Sequence, residues 1–163
     1  AILAEEGTYT LDAKLNITKP LTLEGVGTVI ITKGNADWTS TGDGSDAMLV
    51  NIENTNNVTL KNLTVTGAED IMADGSKKAS GSGINVYDSE TITLDKVSST
   101  DNAAAGVIVN SSSVTATDLQ TSGNAWGGVN VDQKIGQSGF LYPERKQQLS
   151  RASADLFGKP PIR

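Results

Sequence analysis

The sequence predicts an all-β fold, a parallel β-helix (solenoid) of about four to five coils followed by a short C-terminal helix. Three observations predict it: a segment that recurs after 22 residues, apolar alternation within short runs, and Gly, Asn and Ser turns between those runs.

The recurrence is clearest where Thr100-Asp101-Asn102-Ala103-Ala104-Ala105-Gly106-Val107-Ile108-Val109 lies over Ser122-Gly123-Asn124-Ala125-Trp126-Gly127-Gly128-Val129-Asn130-Val131. The same step carries Ile92-Thr93-Leu94 onto Val114-Thr115-Ala116, and earlier copies are Val58-Thr59-Leu60 and Leu21-Thr22-Leu23. A second strand per coil begins at Met48, Gly83, Gly106 and Gly128, with apolar residues alternating as in Ile84/Val86 and Val129/Val131. A lone coil cannot bury such a row, whereas coils stacked in parallel bury a continuous core. Two excursions interrupt the spacing, Gly34–Asp46 and Ala68–Ser82. Insertions in repeat folds map to loops on one face, often the binding face.

Composition agrees with thin, repetitive layers. Only 7 residues are aromatic (Trp 2, Tyr 3, Phe 2) against 17 Gly, so Val, Ile, Leu and Ala must make the core. Cys and His are both absent, which excludes thiol nucleophiles, Ser-His-Asp triads and imidazole-based metal sites. Residues 1–133 carry 7 Lys and no Arg against 17 acidic residues; residues 134–163 carry 6 Lys+Arg against 2. The acidic part offers no basic stripe for phosphates, so nucleic acid is not an expected partner. No apolar run reaches the roughly 18 residues of a membrane span, and membrane insertion is not expected either.

Gly83-Ile84-Asn85-Val86-Tyr87-Asp88-Ser89-Glu90-Thr91-Ile92-Thr93-Leu94-Asp95-Lys96-Val97 resembles the repeat of the pectate-lyase-like, right-handed parallel β-helix superfamily. Glu6-Gly7-Thr8-Tyr9-Thr10-Leu11, followed by Ile17-Thr18-Lys19-Pro20-Leu21-Thr22-Leu23-Glu24-Gly25, is similar to that superfamily's first coil. The resemblance covers roughly residues 2–132. It implies right-handed coiling and a secreted or cell-surface setting. It is poor for activity, because the superfamily includes lyases, glycoside hydrolases, esterases, tail spikes, adhesins and surface-layer proteins.

Stacking converts the alignment into columns. Asn102 falls over Asn124, a pair suited to a side-chain amide ladder and therefore structural. Thr22, Thr59, Thr93 and Thr115 form an outward column; a flat Thr array is what an ice-binding solenoid presents, but the sequence alignment places no regular second column beside it. Lys61, Asp95 and Thr117 stack, as do Asn62, Lys96 and Asp118, giving cross-strand charge pairs.

Trp38 in the first insertion, Trp126 in a turn and Tyr87 at a strand end are the candidates for stacking on sugar rings of a polysaccharide or cell-surface glycan. Asp43-Gly44-Ser45-Asp46 is the candidate Ca²⁺ site, with Asp43 and Asp46 as ligands to an ion that takes 6–8 oxygens; no other cofactor is indicated. No catalytic residue is assigned. The family's lyases use Arg or Lys as base, and residues 1–133 hold no Arg; hydrolysis needs paired carboxylates, and no pair is evident.

Residues 1–132 are thus expected to be a β-helix fragment and 133–163 a basic C-terminal segment, acting as a cap or a foreign tail. Pro143 in the first turn, apolar positions at Leu149, Ala152 and Leu156, and Gly158 as a stop predict a helix over about 143–157. The opening residues enter directly in strand pattern, as in a chain cut from a longer protein. Three functions follow. The leading one is a non-catalytic module of an exported bacterial surface protein, adhesive, structural or glycan-contacting. The alternatives are a polysaccharide lyase or glycoside hydrolase, and an end-to-end self-association module.

Overall fold

The computed structural model describes residues 1–34, 48–71, 77–78, 81–132 and 140–143. Among them the protein is all-β, with two parallel sheets, one small antiparallel pair and no helix.

The chain alternates between the two large sheets. The first sheet takes β1 (Ile2–Ala4) and β2 (Gly7–Leu11), and the second takes β3 (Leu15–Ile17). Next come β4 (Leu21–Gly25) and β5 (Val29–Lys33) in the first, and β6 (Met48–Glu53) in the second. The long strand β7 (Asn56–Thr66) returns to the first sheet; β8 (Asp70–Ile71) and β9 (Lys77–Lys78) pair antiparallel within the second insertion. Then β10 (Ser82–Tyr87) joins the second sheet, β11 (Glu90–Thr100) the first and β12 (Ala105–Asn110) the second. The series ends with β13 (Ser113–Thr117) and β14 (Gln120–Ser122) in the first sheet, β15 (Gly127–Asp132) in the second and β16 (Phe140–Pro143) in the first.

Register follows the sequence columns. Leu21, Val58, Ile92 and Val114 are successive partners, as are Leu23, Leu60, Leu94 and Ala116. In the second sheet Leu15, Val50, Ile84, Val107 and Val129 align, and beside them Ile17, Ile52, Val86, Val109 and Val131. A slip of one residue would turn every one of these side chains to the opposite face, so the apolar rows fix the pairing. Residues of both sheets belong to one buried cluster; Val58, Leu60, Leu94, Ile52, Ile84 and Val86 have no exposed surface. Each such side chain contributes about 1.5–3 kcal/mol by leaving water.

Between strands, residues with positive φ bend the backbone, and they recur at matching positions. Asn54, Asp88 and Ser111 precede the first-sheet strands, and Asn62, Lys96 and Asp118 divide those strands into two segments. Asn and Asp tolerate the left-handed region better than other non-glycine residues, which accounts for their concentration in turns. The turns pair as the strands do: Asn54 N–H donates to Tyr87 O, Asp88 N–H to Asn110 O and Ser111 N–H to Asp132 O, at 3.1, 3.1 and 3.3 Å.

Pairing also continues beyond Asp132, where the sequence reading ended the repeat. Strand β16 lies parallel to β13, with Val114 opposite Leu141 and Ala116 opposite Pro143. The step to Leu141 is longer than 22 residues, so a search at fixed spacing passes over it. Pro143, expected in the first turn of a helix, instead closes a strand at the end of the sheet order, where a missing N–H is tolerated. The rest of the expected 143–157 helix lies outside the described residues.

Candidate functional site

Three polar ladders run from repeat to repeat. At the turn before the second sheet, Asn102 is 2% exposed, and both its amide oxygen and its amide nitrogen are hydrogen-bonded. Its Oδ1 accepts from Ala68 N–H at 3.0 Å, and its Nδ2 donates to Asn124 Oδ1 at 2.8 Å and to Ser99 Oγ at 3.2 Å. Asn124 Nδ2 in turn donates to Ser99 O at 2.9 Å, and Ser99 Oγ donates to Gly106 O at 2.7 Å. Asn102 and Asn124 are thus joined in the side-chain ladder that suits their aligned positions.

A second ladder was not singled out from the sequence. Asn85 Nδ2 donates to Asn51 Oδ1 at 2.8 Å, and Asn51 Nδ2 to Asn16 Oδ1 at 3.0 Å. Placing Leu15-Asn16-Ile17 under Val50-Asn51-Ile52 and Ile84-Asn85-Val86 exposes it, but the intervals of 35 and 34 residues hide it from a 22-residue template. The third ladder uses hydroxyls: Thr55 N–H donates to Ser89 Oγ and Ser89 N–H to Ser112 Oγ, while each Ser hydroxyl donates to the carbonyl two residues earlier. Buried amides and hydroxyls are stable only when paired in this way.

Charged side chains meet across strands. Lys61 faces Glu24 on one side and Asp95 on the other, and its Nζ sits 2.9 Å from Glu24 Oε1. The hydrogen bond to Glu24, then that carboxylate's charge, raise the Lys61 pKa above its ordinary value, and Asp95 adds to the rise.

The aromatic candidates separate. Trp126 N–H donates to Ala104 O at 3.1 Å, so its backbone belongs to the stacked turn while the side chain stands 61% exposed. Tyr87, 38% exposed, ends β10, the strand whose first residue stands in the Ala105–Gly127 column beside Trp126. At about 3.3 Å per residue the backbones that carry the two rings are some 20 Å apart along the strands, too far to grip one sugar ring together. Trp38, Asp43 and Asp46 lie outside the described residues. Among the described residues no three acidic side chains converge as a metal site, and no helix is long and apolar enough to cross a membrane.

Outward threonines prove more ordered than the alignment indicates. Besides Thr22, Thr59, Thr93 and Thr115, the register aligns Thr10, Thr32, Thr66, Thr100 and Ser122. This second column does not stand beside the first: the Glu24, Lys61, Asp95 and Thr117 row and the bend at Asn62 and Lys96 lie between them. The second column escapes a strand-by-strand reading because β5 and β14 are separate strands that pair with the second halves of β7 and β11.

Comparison of the chain with protein-family models, with curated proteins and with solved structures finds no match.

Proposed function

We propose that this chain is a non-catalytic module of an exported bacterial surface protein, a stiff solenoid that holds an exposed indole toward a glycan. In this reading the alternation of the chain between two parallel sheets is the coiling of a right-handed parallel β-helix, of the kind its repeat resembles. Parallel strands joined by crossovers are right-handed almost without exception.

The observation that carries the proposal is the use of polar side chains. Asn16, Asn51, Asn85, Asn102, Asn124, Ser89, Ser99 and Ser112 are bonded to neighbouring repeats or turns, as suits a structural array, while Trp126 is held by its backbone and exposed by its side chain. An exposed indole is an apolar face with a single N–H donor, the chemistry that stacks on a pyranose ring.

The test is binding of the full chain to a panel of soluble bacterial and plant polysaccharides, followed by tryptophan fluorescence and calorimetry. Binding that Trp126→Ala abolishes, with the far-ultraviolet spectrum intact, is the expected result. Binding unaltered by that substitution refutes the role of the indole. Appearance of unsaturated products from polygalacturonate with Ca²⁺ would replace the proposal with a lyase.

End-to-end assembly draws on a different observation. Strand β1 ends the first sheet's strand order and leaves Ile2 54% and Leu3 64% exposed, an apolar edge of the kind that pairs with another chain. Light scattering that finds only monomer across a wide concentration range excludes it.

A further inference from the structure

Two adjacent outward columns of the first sheet form a patterned, uncharged face. One holds Thr8, Ile30, Thr64, Ser98 and Gln120; the other holds Thr10, Thr32, Thr66, Thr100 and Ser122. In β7 and β11 these residues alternate with the buried Leu63, Val65, Val97 and Ser99, so their side chains point away from the core. Neither column contains a charged residue, whereas the positions bounding the face do: Lys33 and Asp101 on one side, Lys96 and Asp118 on the other.

Spacing on this face is set by the backbone. Neighbouring strands lie about 4.8 Å apart and alternate residues about 6.7 Å apart along a strand, which makes a two-dimensional grid of uncharged side chains, all but Ile30 and Gln120 bearing a hydroxyl. Thr100 Oγ1 lies 3.4 Å from Thr66 Oγ1, closer than the strands themselves and at the long limit of a hydrogen bond, leaving capacity for an outside partner.

We infer that this face binds the surface of an ice crystal. An occupant must be neutral, since the face is neutral. It must also be periodic in two directions, since no single residue of the face stands out, and it must accept and donate hydrogen bonds at intervals near those of the strand grid. The lattice of water molecules in ice meets all three conditions. Glycans stack on aromatic rings, and this face has none, so the inference is independent of the Trp126 proposal.

The experiment is ice recrystallisation inhibition by the full 163-residue chain, with circular dichroism as the check on folding. Wild-type chain is expected to arrest grain growth and to shape single ice crystals. Thr66→Tyr and Thr32→Tyr, which plant a ring in the middle of the grid, are expected to lose both effects. Thr59→Tyr, on the separate Thr column beyond the Glu24, Lys61 and Asp95 row, keeps them. A wild-type chain with no effect on ice overturns the inference. So does a folded Thr66→Tyr or Thr32→Tyr that retains full effect, or a loss common to all three variants. Adsorption to insoluble polysaccharide that Thr66→Tyr abolishes, without any action on ice, would assign the face to a glycan instead.

Discussion

The Oδ1 of Asn124 takes two hydrogen bonds from Asn102, one from the side-chain Nδ2 at 2.8 Å and one from the backbone N–H at 3.1 Å. Asn102 is thereby the junction of three repeats, since its own Oδ1 holds Ala68 N–H. Asn102→Ala strands that N–H in the interior and should cost about 1–3 kcal/mol in urea denaturation. Asn102→Asp should be worse at neutral pH, because a carboxylate there is buried and points an oxygen at Asn124 Oδ1. Such a carboxyl has a raised folded pKa, so its destabilisation grows as pH rises through the unfolded Asp value of about 3.9 and fades below it. A deficit for Asn102→Asp that does not shrink in acid would contradict the ladder as drawn.

Glycine at 106 is required by the same ladder. A Cβ there would stand 2.7 Å from both Asn124 Nδ2 and Gly128 O, and one at Gly83 would strike Ser99 Oγ. Gly106→Ala should destabilise by roughly 1–3 kcal/mol through overpacking. Combined with Asn124→Ala, which removes one of the two obstructing groups, the cost should be less than the sum of the single substitutions. Strict additivity in that double-mutant cycle would place the strain elsewhere.

The Lys61–Glu24 pair gives a pH signature of opposite direction. The folded pKa of Lys61 is raised, so the pair's stabilisation is complete below the ordinary lysine value of 10.5 and is lost as pH climbs through the higher folded value. With the side chains 35% and 32% exposed the effect is small and screened by salt. Thermal melts of wild type and Lys61→Met should differ slightly at pH 8 and low salt and converge in strong alkali. A difference that persists there would point to lost packing of the Lys61 stem.

Much of the stacking was legible because parallel in-register strands force equivalent residues together. Val58, Ile92 and Val114 open matching Val-Thr or Ile-Thr segments in the sequence, and the register places them side by side. What escaped was set by variation in repeat length. The 34- and 35-residue intervals concealed the Asn16–Asn51–Asn85 ladder, and the longer step to Leu141 concealed β16. The second Thr column was hidden for a different reason: a residue with positive φ interrupts β7, β11 and the run from β13 to β14, and a single sequence pattern does not show on which side of such a bend hydroxyls will align. Of the candidate site, Trp126 could be named from the sequence as a turn residue over Ala104. Its exposure depends on side-chain orientation, which periodicity does not encode.

Inward and outward columns should respond oppositely to truncation. Leu60 is fully buried and lies between Leu23 and Leu94 in the same row, so both neighbours lose contact when it is shortened. Leu60→Ala should cost about 2–5 kcal/mol, the range for a core site that cannot collapse around the cavity. Thr93, the residue just before Leu94 on the partner strand, faces outward, half-buried, so Thr93→Val should stay within roughly 0.5 kcal/mol. Because each repeat touches only its neighbours, the damage from Leu60→Ala should also be local. Hydrogen exchange should accelerate most in β4, β7 and β11, the strand that carries the cavity and its two partners, and least in β15 of the second sheet. Uniform acceleration across all strands would show instead that the array unfolds as one cooperative unit.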